Sequence, residues 1–328
     1  MRLRRGCAAA ALALCAVYAV LPPARGHESF VDQVINRETV DAMRHGRGYY
    51  PAMDQALRRH GGAVSSVRAF REPPVFLLWR LLPGPRAVWL LYVGLVAVTA
   101  FLLLDLTTAP WIVPLVAWYL LNAARPHVAG VWFDQDLIVE LWVVPAVAGL
   151  LWAWRRGRWV LAAVLAALAF LVRELAAGLL AGGLLGAEVL RRPRRPWLVA
   201  IAAAIVGYGV HSLLTGPHLV AHGHEISLLG TGGLDRVGTM MVVGLRHPLV
   251  LGPPLWALAA WRVASDRALR LLVPFYVTLP LTGLLVGRDY WGYLVVPFVI
   301  LWAGETVARV VTKVRDRTPV PGVSSTGG

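Results

Sequence analysis

The chain has 328 residues, 58% of them hydrophobic and only 15% charged, and a mean hydropathy of +0.62; that is too apolar for a soluble globule and places it among polytopic membrane proteins. Its formal net charge of +14 would point to nucleic acid in a soluble chain. Here the excess sits in short loops beside apolar runs, where it sets topology and meets membrane lipid, and a nucleic-acid partner is discounted. Both cysteines, Cys7 and Cys15, fall within one apolar stretch, which leaves no disulfide framework and no thiolate metal site.

Residues 1–26 open with Arg2, Arg4 and Arg5 and continue as an Ala/Leu run. This is a first span or, given Ala24-Arg25-Gly26, a cleavable signal peptide; either delivers Glu28 onward to the extracytoplasmic side. Residues 27–86 form the one long hydrophilic segment, expected to be a structured extracytoplasmic loop. Glu38 to His45 and Met53 to His60 read as short helices, and Gly46-x-Gly48-Tyr49-Tyr50-Pro51 as a turn between them. Glu72-Pro73-Pro74 then breaks into an apolar stretch, Val75 to Leu82, too short to cross.

Residues 87–311 carry the apolar runs of a helix bundle: Val88 to Leu106, Trp111 to Ala123, Leu137 to Trp154, Trp159 to Val172, Leu175 to Leu190, Trp197 to Leu214, Leu249 to Trp261, Leu271 to Val286 and Tyr293 to Val311. With Cys7 to Leu21 these predict an all-α membrane protein of about ten spans, each needing roughly 20 residues to cross. Trp111 to Ala123 and Trp159 to Val172 are too short without their flanks. Residues 312–328 read as a cytoplasmic tail, disordered after Arg317. No internal repeat of fixed period is present.

Basic clusters lie at Arg2 to Arg5, Arg155 to Arg158, Arg191 to Arg195, Arg262 to Arg270 and Lys313 to Arg317. All fall on one side if the spans alternate, which predicts both termini in the cytoplasm. Tryptophans such as Trp89, Trp152, Trp159 and Trp197 sit near predicted span ends, as an aromatic belt would. The opposite face then gathers Glu28, Asp32, Glu38 and Asp41, the pairs Arg71-Glu72 and Arg173-Glu174, the histidines of the late loop, and Arg288-Asp289-Tyr290. Solvated loops explain isolated charges. They explain less well Arg173-Glu174, adjacent opposite charges inside an apolar run from Val160 to Leu185.

The order of these motifs resembles the polytopic glycosyltransferases of the GT-C fold, which use polyprenyl-phosphate-linked sugars. It runs from a first span through an outer acidic loop with Asp32, the Gly46 to Pro51 segment and Arg71-Glu72-Pro73-Pro74, then Arg155-Arg156-Gly157-Arg158-Trp159, Val172-Arg173-Glu174 and Gly287-Arg288-Asp289-Tyr290. The resemblance is one of layout across most of the chain, carried by short motifs. It implies an integral membrane glycosyltransferase of the inverting type, moving a sugar from a polyprenyl-phosphate donor to an extracytoplasmic acceptor, with a first-loop acid as general base. By position Asp32 matches best, with Glu28 and Glu38 as rivals; the paired acidic motif of many members is not clear here. A helix-capping or solvated acid is the bland account of Asp32.

Arg71, Arg173 and Arg288 are the candidate grips for the leaving phosphate, because guanidinium presents a fork of donors to phosphate oxygens; each also fits an interfacial arginine reaching for headgroups. Tyr49, Tyr50 and Tyr290 are candidate sugar-packing rings, with Glu72, Glu174 and Asp289 beside the arginines; interface marking is their bland account. No cofactor is required. His218 and His222 are four residues apart, and with His224 they offer a divalent-metal alternative weakened by Gly223 and by the want of a clear further ligand. A transporter or lipid-carrier flippase would instead place ionisable groups or broken helices near the bilayer midplane. A non-enzymatic membrane scaffold needs only the basic loops and aromatic belts.

Overall fold

The computed structural model describes residues 2–21, 31–61, 70, 73–125, 127–128, 131–132, 138–220, 248–266, 269–274, 277 and 289–317. They fold almost wholly as helix. In apolar surroundings a backbone must satisfy its N–H and C=O groups internally, and a helix does so within one segment. The helices are α1 (Arg2–Val20), α2 (Val31–Arg44), α3 (Tyr49–His60), α4 (Pro73–Leu81), α5 (Pro85–Leu106), α6 (Val113–Ala124), α7 (Val139–Arg155), α8 (Trp159–Val172), α9 (Ala177–Val189), α10 (Arg195–Thr215), α11 (Pro248–Ser265) and α12 (Val296–Arg317). Prolines open α5, α6 and α10 within the first two positions, where no intrahelical donor is lost. The exception to helix is a two-residue antiparallel pairing, His127 opposite Trp132 and Val128 opposite Val131.

Among the described residues, three helices are long and apolar enough to cross a membrane: α1, α5, and α10 with its 3-10 extension to His218. The other apolar runs also fold as helices, except that Leu271 to Val286 lies largely outside the described residues. Three of them fall short in length. With 12, 14 and 13 residues, α6, α8 and α9 are each roughly 18–21 Å long at 1.5 Å per residue, against a hydrocarbon core of about 30 Å. Composition announced these helices, and their ends fall within two residues of the expected runs. Large apolar side chains are exposed along α1, α5, α8 and α10, among them Val17, Phe101, Val164 and Ile205. So much outward apolar surface suits lipid better than water.

Helices α1 and α5 to α10 run alternately between two ends. At one end Arg4 donates to the Thr107 carbonyl at 3.2 Å, Arg155 donates to the Leu106 carbonyl, and Arg156 pairs with Asp105 at 2.5 Å. Asp266 bridges Arg155 at 3.3 Å and Arg262 at 2.9 Å, and the buried Glu305 takes Arg262 at 2.7 Å. Trp154 touches both Trp159 and Trp197, and the Arg192 guanidinium lies over the Trp159 ring. The basic clusters that begin α1, end α7 and lead into α10 thus share one end with Arg262. At the other end, Trp89 donates to the Tyr18 carbonyl at 3.0 Å, Arg86 reaches the last carbonyls of α1, and Arg125 covers Trp89.

Helices α2, α3 and α4 form a cap on this second end. Helix α2 is longer than the expected Glu38 to His45, and α3 begins at Tyr49, inside the expected turn; Gly46, at φ 91°, supplies the left-handed residue that ends α2. Arg44 donates to the carbonyls of Trp79 and Leu82, both at 3.1 Å, tying the end of α2 to the end of α4. A continuous run of ring contacts then fastens cap to bundle, from Tyr50 through Tyr49, Phe76, Trp79 and Trp142 to Tyr92, with neighbouring centroids 5.0–5.6 Å apart. Edge-to-face pairs of this kind each add about 0.5–1.5 kcal/mol beyond their buried area.

Helices α9 and α10 meet through a glycine. A Cβ at Gly183 would overlap the ring of Trp197, which is fully buried and cannot swing aside. Gly183→Ala is therefore expected to destabilise the bundle by about 1–3 kcal/mol through overpacking. A lowered unfolding temperature of the purified chain checks this, and an unchanged one contradicts it.

Candidate polar site beneath the helical cap

Among the described residues, buried charge gathers at two places: Arg262 with Glu305 at the basic end, and a second cluster at the capped end, where α8 stops. Arg173 leaves the helix with extended backbone, φ −154° and ψ 115°, and the chain turns through a 3-10 segment, Glu174–Ala176, into α9. Its side chain is 2% exposed, and Nε donates to Glu140 Oε1 at 2.8 Å. Nη1 donates to both carboxylate oxygens of Glu174 at 3.1 Å. Glu140 sits in the first turn of α7 and Arg173 caps the last turn of α8, so each charge also faces the favourable end of a helix dipole.

The cluster is recessed. Helix α8 places Arg173 roughly 21 Å from the basic end, whereas the 21-residue α10 runs on to about 32 Å. Inside that step stands His211, 4% exposed on α10. Its Nδ1 lies 3.2 Å from the Tyr50 hydroxyl, and its Nε2 lies 3.3 Å from the Phe70 carbonyl. Beyond it, His218 Nδ1 is 3.4 Å from Asp54 Oδ2, and the His218 ring stacks near Tyr50. Cap residues Tyr50 and Asp54 therefore meet bundle residues His211 and His218 in one polar seam. Such a seam can exchange protons and hydrogen-bond a polar ligand.

Of the expected site residues, Arg173 and Glu174 pair with each other, and Tyr50 meets His211. Arg173 already faces two carboxylates, which makes the trio a poor cradle for a phosphate and casts Arg173 as the clamp that holds Glu174. Tyr49 is 7% exposed, edge-on to Tyr50 and near Phe76, and serves packing, not a ligand face. Glu38 is drawn away to α3, where His60 lies at 2.8 Å and Arg59 at 3.5 Å. Asp32 occupies the first turn of α2, with its side chain outside the described residues. So are Glu28, Arg71, Glu72, Arg288, His222 and His224, and the side chains of Asp289 and Tyr290, whose backbone lies in the 3-10 segment Asp289–Leu294. Among the described residues no group of three or more metal-ligating side chains is found.

Sequence reasoning passed over His211, Asp54 and Gln33, and noted Glu140 merely as a charge towards a span end. His211 carried a usable signal, an ionisable residue inside the apolar run Trp197 to Leu214. Gln33 carried none. It follows Asp32 on α2, is 1% exposed, and neither of its amide atoms has a hydrogen-bond partner among the described residues. Buried amides are ordinarily paired, so this one can offer a donor and an acceptor to a polar ligand.

No protein-family model, curated protein or solved structure matches the chain. The functional reading therefore rests on the site and on the layout of motifs.

Proposed function

We propose that this chain is an integral membrane glycosyltransferase of the GT-C type. It takes a sugar from a polyprenyl-phosphate carrier and passes it to an acceptor at the capped, extracytoplasmic face, its helices crossing the bilayer about ten times with both termini in the cytoplasm. One observation carries the reading: a folded helical cap whose first turn bears Asp32 closes over a recessed acid–base seam at the end opposite the arginine clusters. Asp32 removes the acceptor hydroxyl proton, and the oxygen attacks the anomeric carbon from the face opposite the phosphate. The sugar–phosphate C–O bond breaks, its electron pair leaves on the polyprenyl phosphate, and the anomeric configuration inverts. Arg71 and Arg288 receive the phosphate charge, while Gln33, Tyr50 and Glu174 hydrogen-bond sugar hydroxyls.

A carrier or flippase is favoured by one feature, the extended break at Arg173 between two helices too short to cross alone. A single experiment separates the two readings. The purified chain is reconstituted in liposomes holding radiolabelled sugar on polyprenyl phosphate, with a panel of soluble and lipid acceptors. Label leaving the carrier for an acceptor is the expected result. Label that changes leaflet with its glycosidic bond intact would replace the enzyme with a flippase, and label that does neither would remove both.

A further inference from the structure

At the basic end, two turns lie side by side: Arg155 to Arg158 between α7 and α8, and Arg191 to Arg195 between α9 and α10. Both helices entering them, α7 and α9, stop in the same way. Gly157 N donates to the Trp154 carbonyl at 3.1 Å and Arg158 N to the Ala153 carbonyl at 2.8 Å; Arg191 N donates to the Glu188 carbonyl at 3.1 Å and Arg192 N to the Ala187 carbonyl at 2.7 Å. This pairing needs a left-handed residue just past the helix, and glycine is the residue that adopts it without strain. Helix α2 uses Gly46 and α7 uses Gly157, at φ 91° and 69°, whereas α9 uses Arg191 at φ 51°. Arg191 is the only non-glycine residue in that region among the described residues. An arginine here gives up local stability, and its guanidinium is the one thing it has that glycine lacks.

The same two turns enclose an open groove of about 560 Å³, lined by Gly157, Arg158, Trp159, Val160, Pro193 and Pro196. Its floor is apolar and runs on into the exposed flank of α8, with Leu161, Val164 and Leu168, beside Leu198 and Val199 of α10. Its rim is cationic. Arg158, Arg191, Arg192, Arg194 and Arg195 are all exposed; Arg156 beside them is taken by Asp105 at 2.5 Å, and Glu188 is paired with Arg194 at 2.6 Å. Arg192 lies 5.2 Å from the Trp159 ring centroid and Arg158 4.9 Å from that of Trp152, which holds both guanidinium groups at the groove mouth.

We infer that this groove is a binding site for an anionic phospholipid of the surrounding bilayer, its phosphate held by Arg191, Arg192 and Arg158 and its acyl chains laid along α8 and α10. A free anion would leave the apolar floor empty, and a zwitterionic lipid would bring its own cation among the arginines. An anionic lipid satisfies rim and floor at once, as basic recesses between membrane helices do elsewhere.

The test measures the unfolding temperature of the full-length chain in neutral detergent, titrated separately with dioleoyl phosphatidylglycerol, dioleoyl phosphatidylcholine and inorganic phosphate. The glycerol lipid is expected to raise it saturably, and the other two not. Arg191→Gly is expected to keep or raise the starting unfolding temperature, because glycine suits the turn, while weakening the lipid response about fivefold, the worth of one arginine at an anionic surface. Arg192→Gln should weaken it similarly. An equal response to phosphatidylcholine, a response reproduced by phosphate alone, or an undiminished response in Arg191→Gly would each overturn the inference.

Discussion

Arg173→Ala is expected to destabilise the folded chain by about 3–5 kcal/mol, because it strands the Glu140 carboxylate, 2% exposed, without its counter-charge. Several kilocalories per mole of uncompensated desolvation is a large fraction of what a folded domain has in hand. The loss should appear as a sharply lower unfolding temperature and as aggregation during purification in detergent. The pair itself need not be a large net stabiliser, since the favourable attraction is offset by burying both ions. Hence the double variant Glu140→Gln with Arg173→Met is expected to recover most of the loss. Wild-type stability of Arg173→Ala would show that the clamp is not there. If the double variant folds well yet transfers no sugar, the clamp serves the site through the position it gives Glu174.

Asp32→Asn is expected to lower sugar transfer by about 10²–10⁴-fold with little change in folding, the range lost when a positioned general base is removed. The substitution keeps size and hydrogen bonding and deletes basicity. Glu38 provides the control. Its carboxylate is engaged by His60 and Arg59 at the cap surface, so Glu38→Gln should keep near wild-type turnover and cost at most about 1 kcal/mol. Wild-type turnover in Asp32→Asn, measured on correctly inserted protein, would assign the base to another residue. The opposite pattern, with Glu38→Gln inactive and Asp32→Asn active, would assign it to Glu38.

Periodicity and hydropathy located the helices well because each lies in a run of apolar residues that a short window senses. Val88 to Leu106 became α5 and Trp197 to Leu214 became the middle of α10 with only small changes at the ends. The boundary between α8 and α9 was legible for the same reason, since Arg173-Glu174 interrupts Val160 to Leu185. The number of crossings was less legible: among the described residues only α1, α5 and α10 keep span length and apolarity together.

The candidate site divides in the same way. An adjacent Arg and Glu in an apolar run marked Arg173 and Glu174 in advance, but nothing local said that Arg173 would face Glu140, which is 33 residues away in sequence. That partnership turned an expected phosphate grip into a compensated clamp. Tyr50 and His211 lie 161 positions apart and meet because α3 folds over the step left where α8 stops short of α10. Glu38 stood as a rival to Asp32 among the loop acids. Only the packing of α2 on α3 drew it to His60.

By itself, then, the sequence determined an apolar, helical chain with its arginines in recurrent clusters and its chemistry-bearing residues between them, because composition and hydrophobic period are properties of neighbours along the chain. The tertiary structure alone decided which of those residues meet. Ion pairs, ring contacts and the roof over Arg173 depend on helix lengths and on contacts across long sequence separations, and burial then sets whether a charge is a ligand grip, a clamp or a surface ornament.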